Sequence, residues 1–313
     1  MLGKTAGGLY WMFRFLERGE NLARLMEAGF RMALTRSSGS ASEWESVVTT
    51  AGAKAGYDAK YDSYVDINVI DYLLRDQENP SSVFSVTKSA RDNARLVRTA
   101  LTREVWEAVN EGWMTMRELL REPVTQVNLP GTLAAIRQQS ALVRGALYGT
   151  MLRNDIYDFA RLGTHVERAD NTARIIDVKY YTLLPTASSV GSSLDNVQWE
   201  MILRSVSAHR SFRWLDEQEM TAPAIADFLI FDKRLPRSLN FCMGQVAENL
   251  RYLEEEYGTR HLCHDRAEAL RGRLADSTIK EIFDQGLHEF ISGFIQDNNL
   301  LGMQIEKDYR FIE

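Results

Sequence analysis

Glu17-Arg18-Gly19-Glu20-Asn21-Leu22-Ala23-Arg24-Leu25 returns 150 residues later as Glu167-Arg168-Ala169-Asp170-Asn171-Thr172-Ala173-Arg174-Ile175. The two stretches align without a gap. Glu, Arg, Asn, Ala and Arg recur unchanged, the other positions are mostly close substitutions, and Glu27/Asp177 extends the match. A repeat inside one chain constrains the architecture before any motif is read. Both copies have helical periodicity. At about 100° per residue, Met12, Leu16, Gly19, Ala23, Met26 and Phe30 share one stripe. In the second copy the stripe is Leu162, Val166, Ala169, Ala173, Ile176 and Tyr180.

A neighbouring sector carries Glu17, Glu20, Asn21, Arg24 and Glu27, matched by Glu167, Asp170, Asn171, Arg174 and Asp177. Glu20–Arg24 and Asp170–Arg174 have the spacing of i,i+4 ion pairs, worth about 0.3–0.5 kcal/mol each if solvated. Arg18 and Arg168 are expected on the other flank of the apolar stripe. A solvated face left by an old duplication accounts for charge in both copies, but not for these residue types. Asn is a poor helix former, so its presence in mid-helix twice asks for a partner for the amide. Arg presents a planar fork suited to carboxylate or phosphate, which Lys lacks. The sharper expectation is that the two helices pair about a pseudo-twofold axis. Their polar sectors then meet each other or line a shared cleft.

The chain has 313 residues, 45% hydrophobic and 26% charged, the composition of a globular protein. It is long enough for one large domain or two moderate ones. A net charge of −6 with no basic stripe argues against bulk nucleic-acid binding. Two cysteines, Cys242 and Cys263, are too few for a disulfide framework and fit a reducing compartment. No signal-peptide core follows Met1, and no run approaches the roughly 20 apolar residues that span a bilayer. A cytoplasmic location without membrane contact is expected.

In chain order, the first helix runs from about Thr5 to Leu34. Ser42 caps a helix over 43–53, and another covers Val65 to Arg75. Ser81 or Ser82 opens a helical stretch that continues to Leu120, with a join at Thr99–Thr102 and Thr102 as a cap. Asp92-Asn93-Ala94-Arg95-Leu96 echoes the Asn-x-Ala-Arg core a third time, and Trp106 reads as a core anchor. Pro123 and Pro130 bracket a connector before a helix from Gly131 to Met151. The second-copy helix starts at Asn154 or Asp155 and ends before Pro185. A small-residue loop at 186–193 is where the chain would divide, into 1–185 and 195–313, if it is not one domain. Asp195 caps a helix through about Leu215, and Thr221 caps Ala222 to Phe231.

At Asp232-Lys233-Arg234-Leu235-Pro236-Arg237-Ser238, Pro236 fits the first turn of a new helix running to Tyr257-Gly258. That places Arg237 and Ser238 where an anion is favoured, with Asp232 bracing Arg237 or capping the turn. Helices over about Asp265–Leu274 and Ser277–Asn298 and a last one in the tail from Leu300 complete the chain. No stretch alternates as a strand does. The expectation is an all-α bundle of ten to twelve helices.

Few familiar chemical motifs occur in the sequence. No Glu-x-x-His or His-Glu-x-x-His spacing occurs, so no metal is expected. His261-Leu262-Cys263-His264 scatters its ligands around one turn. No phosphate loop, dinucleotide loop or nucleophile elbow is present, and no cofactor is expected. The strongest constellation is Glu17, Arg18, Asn21 and Arg24 with Glu167, Arg168, Asn171 and Arg174, joined by Arg237 and Asp232. The candidate substrate-binding residues are thus Arg18, Asn21, Arg24, Arg168, Asn171, Arg174, Asp232 and Arg237. The candidate acid–base residues are Glu17, Glu167 and His165, although His165 falls in the apolar sector and suits a satisfied core histidine. Carboxylates beside arginines stay ionised, which suits binding more than proton transfer.

With these residues in view, the chain resembles the alpha-E family, an all-helical domain named for its helices and its Glu-Arg motif. The resemblance covers nearly the whole chain. It rests on Leu16 to Asn21 and Gly163 to Arg174, supported by Arg91 to Arg98, Arg103 to Asn110, and Phe228 to Ser238. Gly19 departs from the pattern, since Ala would serve the helix better; it marks either close packing or a loss of about 0.5–1 kcal/mol. Family members are encoded beside, or fused to, circularly permuted ATP-grasp proteins, with transglutaminase-like peptidases and the proteasome-related Anbu subunit as neighbours. The resemblance therefore implies a role in a system that makes or modifies a peptide, with this chain holding a carboxylate-bearing peptide or amino acid. A stand-alone acyl- or aminoacyl-transfer enzyme and a purely structural scaffold are the competing expectations.

Overall fold

In a computed structural model of the chain, which describes residues 1–35, 41–182, 193–215 and 219–312, the only regular structure is helical. The described residues form fifteen α-helices and one 3-10 turn at Arg98–Ala100. The expected number was lower because Lys54–Asp58 (α3), His209–Arg213 (α10) and Ile279–Gln285 (α14) are too short to show a period. Two long helices form the centre: α1 (Gly3–Thr35) and α8 (Asp155–Thr182), which carry the two Glu-Arg copies. They pack directly on each other. Around α1 lie α2 (Ala41–Thr50), α5 (Val83–Leu96), α7 (Leu129–Thr150) and α9 (Ser193–Ser205). Around α8 lie α2, α9, α12 (Leu239–Tyr257) and α15 (Leu287–Asp308).

The two central helices are therefore covered on nearly every side. Met12, Ala23 and Met26 of the first stripe and Leu162, Val166, Ala169, Ala173 and Ile176 of the second are buried, as their spacing demands. So are Glu17, Glu20 and Glu167, which a simple amphipathic reading leaves in water. Close approach of the pair depends on Gly163, where a Cβ would lie 2.1 Å from the Tyr10 carbonyl oxygen. Gly19 has no such role: a Cβ there would meet only Val86 Cγ2, at an ordinary 3.4 Å.

Local capping explains most helix starts. Ser82 Oγ accepts from Ser85 N–H at the head of α5, and Thr102 Oγ1 accepts from Val105 N–H at the head of α6 (Arg103–Leu119). Thr221 caps α11 (Ala222–Phe231), and Gly258, at φ 63°, ends α12 in the left-handed conformation. Among the remaining elements, α4 is Asp66–Leu74 and α13 is Leu262–Asp276.

Several expectations require correction. The helix foreseen as continuous to Leu215 is broken between α9 and α10 by Ser207, at φ 57°. The helix foreseen over 277–298 is broken at Gly286, whose φ of 115° suits only glycine, and the tail from Leu300 continues α15. α12 begins at Leu239 with Ser238 as its cap, after Pro236 rather than around it. Trp106 is only half-buried, lying against the Arg98 guanidinium on a small cluster of its own. The dividing loop falls outside the described residues apart from Ser193, and the side chains of Ser42, Tyr180 and Asp195 are likewise outside them. Among the described residues, no helix is long and apolar enough to cross a membrane.

Candidate functional site

Where α1 and α8 cross, the Glu-Arg pairs exchange partners. Arg18 Nε and Nη2 donate to Glu167 at 2.5 and 3.1 Å, and Arg168 Nε and Nη2 donate to Glu17 at 2.8 and 2.9 Å. Each is a two-pronged guanidinium–carboxylate pair, the strong form of the interaction. This reciprocity gives a physical reason for the repeat. Each helix supplies one carboxylate and one guanidinium, and each of these is bonded across the crossing by the other helix. The expectation that Arg18 and Arg168 lie off the polar sector is overturned, because it treated each helix alone, and the partner helix draws both guanidinium groups inward.

Further arginines converge on the same carboxylates. Arg14 Nε reaches Glu167 at 2.8 Å. Arg237 donates to Glu17 at 3.1 Å, Asn21 Oδ1 at 2.9 Å and Glu20 at 2.8 Å. Arg24 holds Glu20 at 2.7 Å, and Arg144 reaches both Glu17 and Glu20. Among the described residues, the carboxylates bonded by Arg14, Arg18, Arg24, Arg144, Arg168 and Arg237 are thus only Glu17, Glu20 and Glu167. Burial opposes ionisation of Glu17, but Arg168 and Arg237 outweigh it and hold its carboxyl far below the usual range. Burial likewise opposes ionisation of Glu167, and Arg14 and Arg18 outweigh it. Burial itself wins at Arg237, which is brought down to about 10 despite the neighbouring Glu17.

Beside this ionic layer lies a cleft of about 270 Å³, open to solvent. Arg18 and Asn21 line it from α1, and Glu167, Asp170, Asn171 and Arg174 line it from α8. The end of α2 closes one side, where Gly52 turns the chain at φ 69°; a Cβ on it would lie 3.5 Å from Arg174 Nη1. The Nδ2 atoms of Asn21 and Asn171, which occupy equivalent positions in the two copies, are buried and have no hydrogen-bond partner among the described residues. The Asn21 amide is oriented by its oxygen, which accepts from Arg237 and so directs the nitrogen away from it. Arg174 is held by Asp170 through Nε at 2.7 Å, yet about a third of its side chain remains exposed.

The expected residues therefore fall into three groups. Glu17, Arg168 and Arg237 belong to the buried ionic layer. Arg18, Glu167, Asn21, Asn171 and Arg174 reach the cleft, the first two serving both. Arg24, expected opposite Arg174 in a common recess, lines a different one, because α9 and α10 cover α1 where α2 covers α8. Asp232 does not brace Arg237. It caps its own turn, accepting from Arg234 N–H at 2.7 Å and Leu235 N–H at 3.1 Å, and pairs with Arg234.

His165 is buried beside Phe241, outside the cleft, and neither ring nitrogen has a partner among the described residues. It is therefore not the satisfied core histidine that the sequence suggested. Burial, reinforced by the Arg161 and Arg168 charges, holds its ring neutral, with a pKa well below the ordinary value. Among the described residues no His, Cys, Asp and Glu group has the arrangement of a metal site. The His261–His264 turn is a helix start, in which His264 Nδ1 accepts from His261 N–H and Nε2 faces the Leu250 carbonyl.

Arg14 and Arg144 were missed as site residues. Each has a legible signal, a lone arginine in an otherwise apolar stretch, for which an unseen carboxylate partner is the natural explanation. A family model, Alpha-E, described as a predicted alpha-helical domain with a conserved ER motif, matches residues 1–309. No curated protein and no solved structure matches the chain.

Proposed function

The chain belongs to the Alpha-E family, and we propose that it serves a circularly permuted ATP-grasp protein as the component that holds a carboxylate-bearing peptide or amino acid. The observation that carries this reading is the pair of unpartnered amide nitrogens on Asn21 and Asn171, beside the guanidinium groups of Arg18 and Arg174. Buried donors without acceptors are costly, and a ligand carboxylate supplies acceptors to all four side chains. Asp170 on the same wall is paired with Arg174, and a ligand carboxylate that drew on Arg174 would leave Asp170 to meet a ligand ammonium. The cleft thus suits a zwitterionic end such as an amino acid. Cytoplasmic placement, and a transglutaminase-like peptidase and an Anbu subunit as further partners, belong to the same proposal.

Catalysis by the isolated chain has less support. Glu17 and Glu167 are locked as carboxylates, and His165 is neutral and does not line the cleft. The scaffold reading has one specific observation behind it, the mutual satisfaction of the Glu-Arg pairs, but it gives no use to the two asparagine nitrogens. The test is activity of the chain reconstituted with its ATP-grasp partner, comparing wild type with Arg174→Gln and Asn171→Ala. Each substitution removes about one charge-assisted or buried bond, so KM for the acceptor rises about tenfold with kcat little changed. Unchanged kinetics after both substitutions, in protein that melts normally, would remove the cleft from the function. Turnover by the chain without its partner would favour the enzyme reading instead.

A further inference from the structure

We propose that the recess between α1, α7 and the α9–α10 turn is a second ligand site, built for a phosphorylated small molecule. It encloses about 290 Å³ and shares no lining residue with the cleft, so this proposal does not rest on the reading of the cleft. Five arginines line it, Arg24, Arg31, Arg137, Arg204 and Arg210, and among the described residues that line it Glu27 is the only carboxylate.

Glu27 is divided between Arg31 and Arg137. Arg204 is held from outside the recess by Glu200, and Arg24 by Glu20. The Arg210 side chain is exposed and has no ion pair or hydrogen bond among the described residues. Ser205, whose hydroxyl donates to the Ile202 carbonyl, Ser207 and His209 complete the polar wall. Ser207 Oγ accepts from Arg24, which leaves its hydroxyl proton free to donate to a ligand. His209 Nε2 lies 3.1 Å from Glu200; burial and the Arg204 charge keep its ring below the ordinary histidine value.

The charge balance selects the ligand class. Five arginines against Glu27, Glu20 and Glu200 leave an excess of about two positive charges, and a carboxylate, with one charge, would meet only half of it. A phosphate monoester carries nearly two charges near neutrality and three strong acceptor oxygens, enough for several arginines and the serine hydroxyl. Ser207, at φ 57°, ends α9 in the left-handed conformation, with Ala208 N–H bonded to the Leu203 carbonyl at 2.7 Å, and this cap fixes the turn that carries Ser207 and His209 at the recess. The recess is at the lower end of the size range of small-molecule sites. The chain carries a net charge of −6, so an extended polyanion would be repelled by the rest of the surface while a small phosphorylated molecule would be drawn inward.

The experiment is calorimetric titration of the full chain with inorganic pyrophosphate at constant ionic strength. Wild type, Arg204→Gln with Arg210→Gln, and Arg103→Gln are compared. Arg103 is exposed on α6, paired with Glu107, and serves as a control for loss of an arginine outside the recess. The expected result is saturable one-to-one binding, weakened about tenfold or more by the paired substitution and unchanged by the control. Absence of saturable binding to wild type overturns the proposal, as does an equal loss in Arg103→Gln. Tighter capture by phosphatidylglycerol vesicles or by a single-stranded oligonucleotide than by pyrophosphate also overturns it, by assigning the recess to a surface or a polymer.

Discussion

Replacing Glu17 by Gln tests whether the central helix pair is held by charge. The side chain keeps its shape, so no cavity forms. The carboxylate takes bonds from Arg168 at 2.8 and 2.9 Å and from Arg237 at 3.1 Å. The amide keeps one acceptor oxygen and turns an N–H group towards guanidinium donors. Two charge-assisted bonds at about 1.5–3 kcal/mol each are lost, partly offset because one fewer charge is desolvated. Removing one partner of a buried pair typically leaves a net cost of about 3–5 kcal/mol. In a chain of this size that lowers the melting temperature by roughly 5–8 °C.

The assay is thermal and urea unfolding followed by circular dichroism, with Glu107→Gln as the exposed control, expected to cost at most about 0.5 kcal/mol. The pH dependence supplies a second readout. The folded-state pKa of Glu17 lies below its ordinary value of 4.5. Its contribution is therefore complete above about pH 5 and is lost as pH falls through the folded value. The gap between wild type and Glu17→Gln should be flat from neutrality to about pH 5 and close in acid. If Glu17→Gln costs no more than the control at neutral pH, the ionic layer does not hold α1 to α8 and the reasoning fails.

Three further substitutions have defined outcomes. Gly163→Ala forces a methyl to within 2.1 Å of the Tyr10 backbone, so the two helices must separate; unfolding experiments should show a loss of at least about 3 kcal/mol. Gly19→Ala meets no such obstacle and should raise stability by about 0.5–1 kcal/mol in the same assay. Asp158→Asn concerns a buried carboxyl pushed up to about 7, first by burial, with Arg153 only partly compensating. Its proton is held more tightly in the folded state, so wild-type stability falls as pH rises from about 4 to 7. The variant should escape that loss, gaining roughly 1–2 kcal/mol at pH 8 after allowance for solvent screening, with no gain near pH 4.

The helices and the pairing of the two Glu-Arg copies were legible because periodicity and an internal repeat are local properties of the chain. Thr102, Thr221 and Gly258 could be assigned to helix ends from residue type alone. The partner exchange between Glu17–Arg168 and Glu167–Arg18 was not legible. Sequence spacing reports neighbours on one helix, and at i,i+4 it points to Arg24 and Arg174 instead. Burial of the polar sector was missed for a related reason. A helix wrapped on all sides keeps an amphipathic pattern whenever its charges are answered from other elements, as Arg237 answers Glu20 across 217 residues. The breaks at Ser207 and Gly286 escaped because a single left-handed residue leaves the flanking apolar period almost intact.

The repeat also explains why one chain would carry two recesses. Arg24 and Arg174 occupy the same position in the duplicated helix, and each is tied to the acidic residue four places before it. What differs is the covering element. The end of α2 lies over Arg174 and brings backbone, Gly52 and few charges, leaving a cleft of mixed sign in which two asparagines await an acceptor. The α9–α10 turn lies over Arg24 and brings Arg204, Arg210 and His209, so the equivalent arginine stands in a strongly cationic recess. A pseudo-symmetric pair of helices thus acquires two unlike sites through asymmetric covers. On this argument substitutions on α2 and on the α9–α10 turn should separate the two ligands, whereas Glu17→Gln, acting on the shared layer, should weaken both.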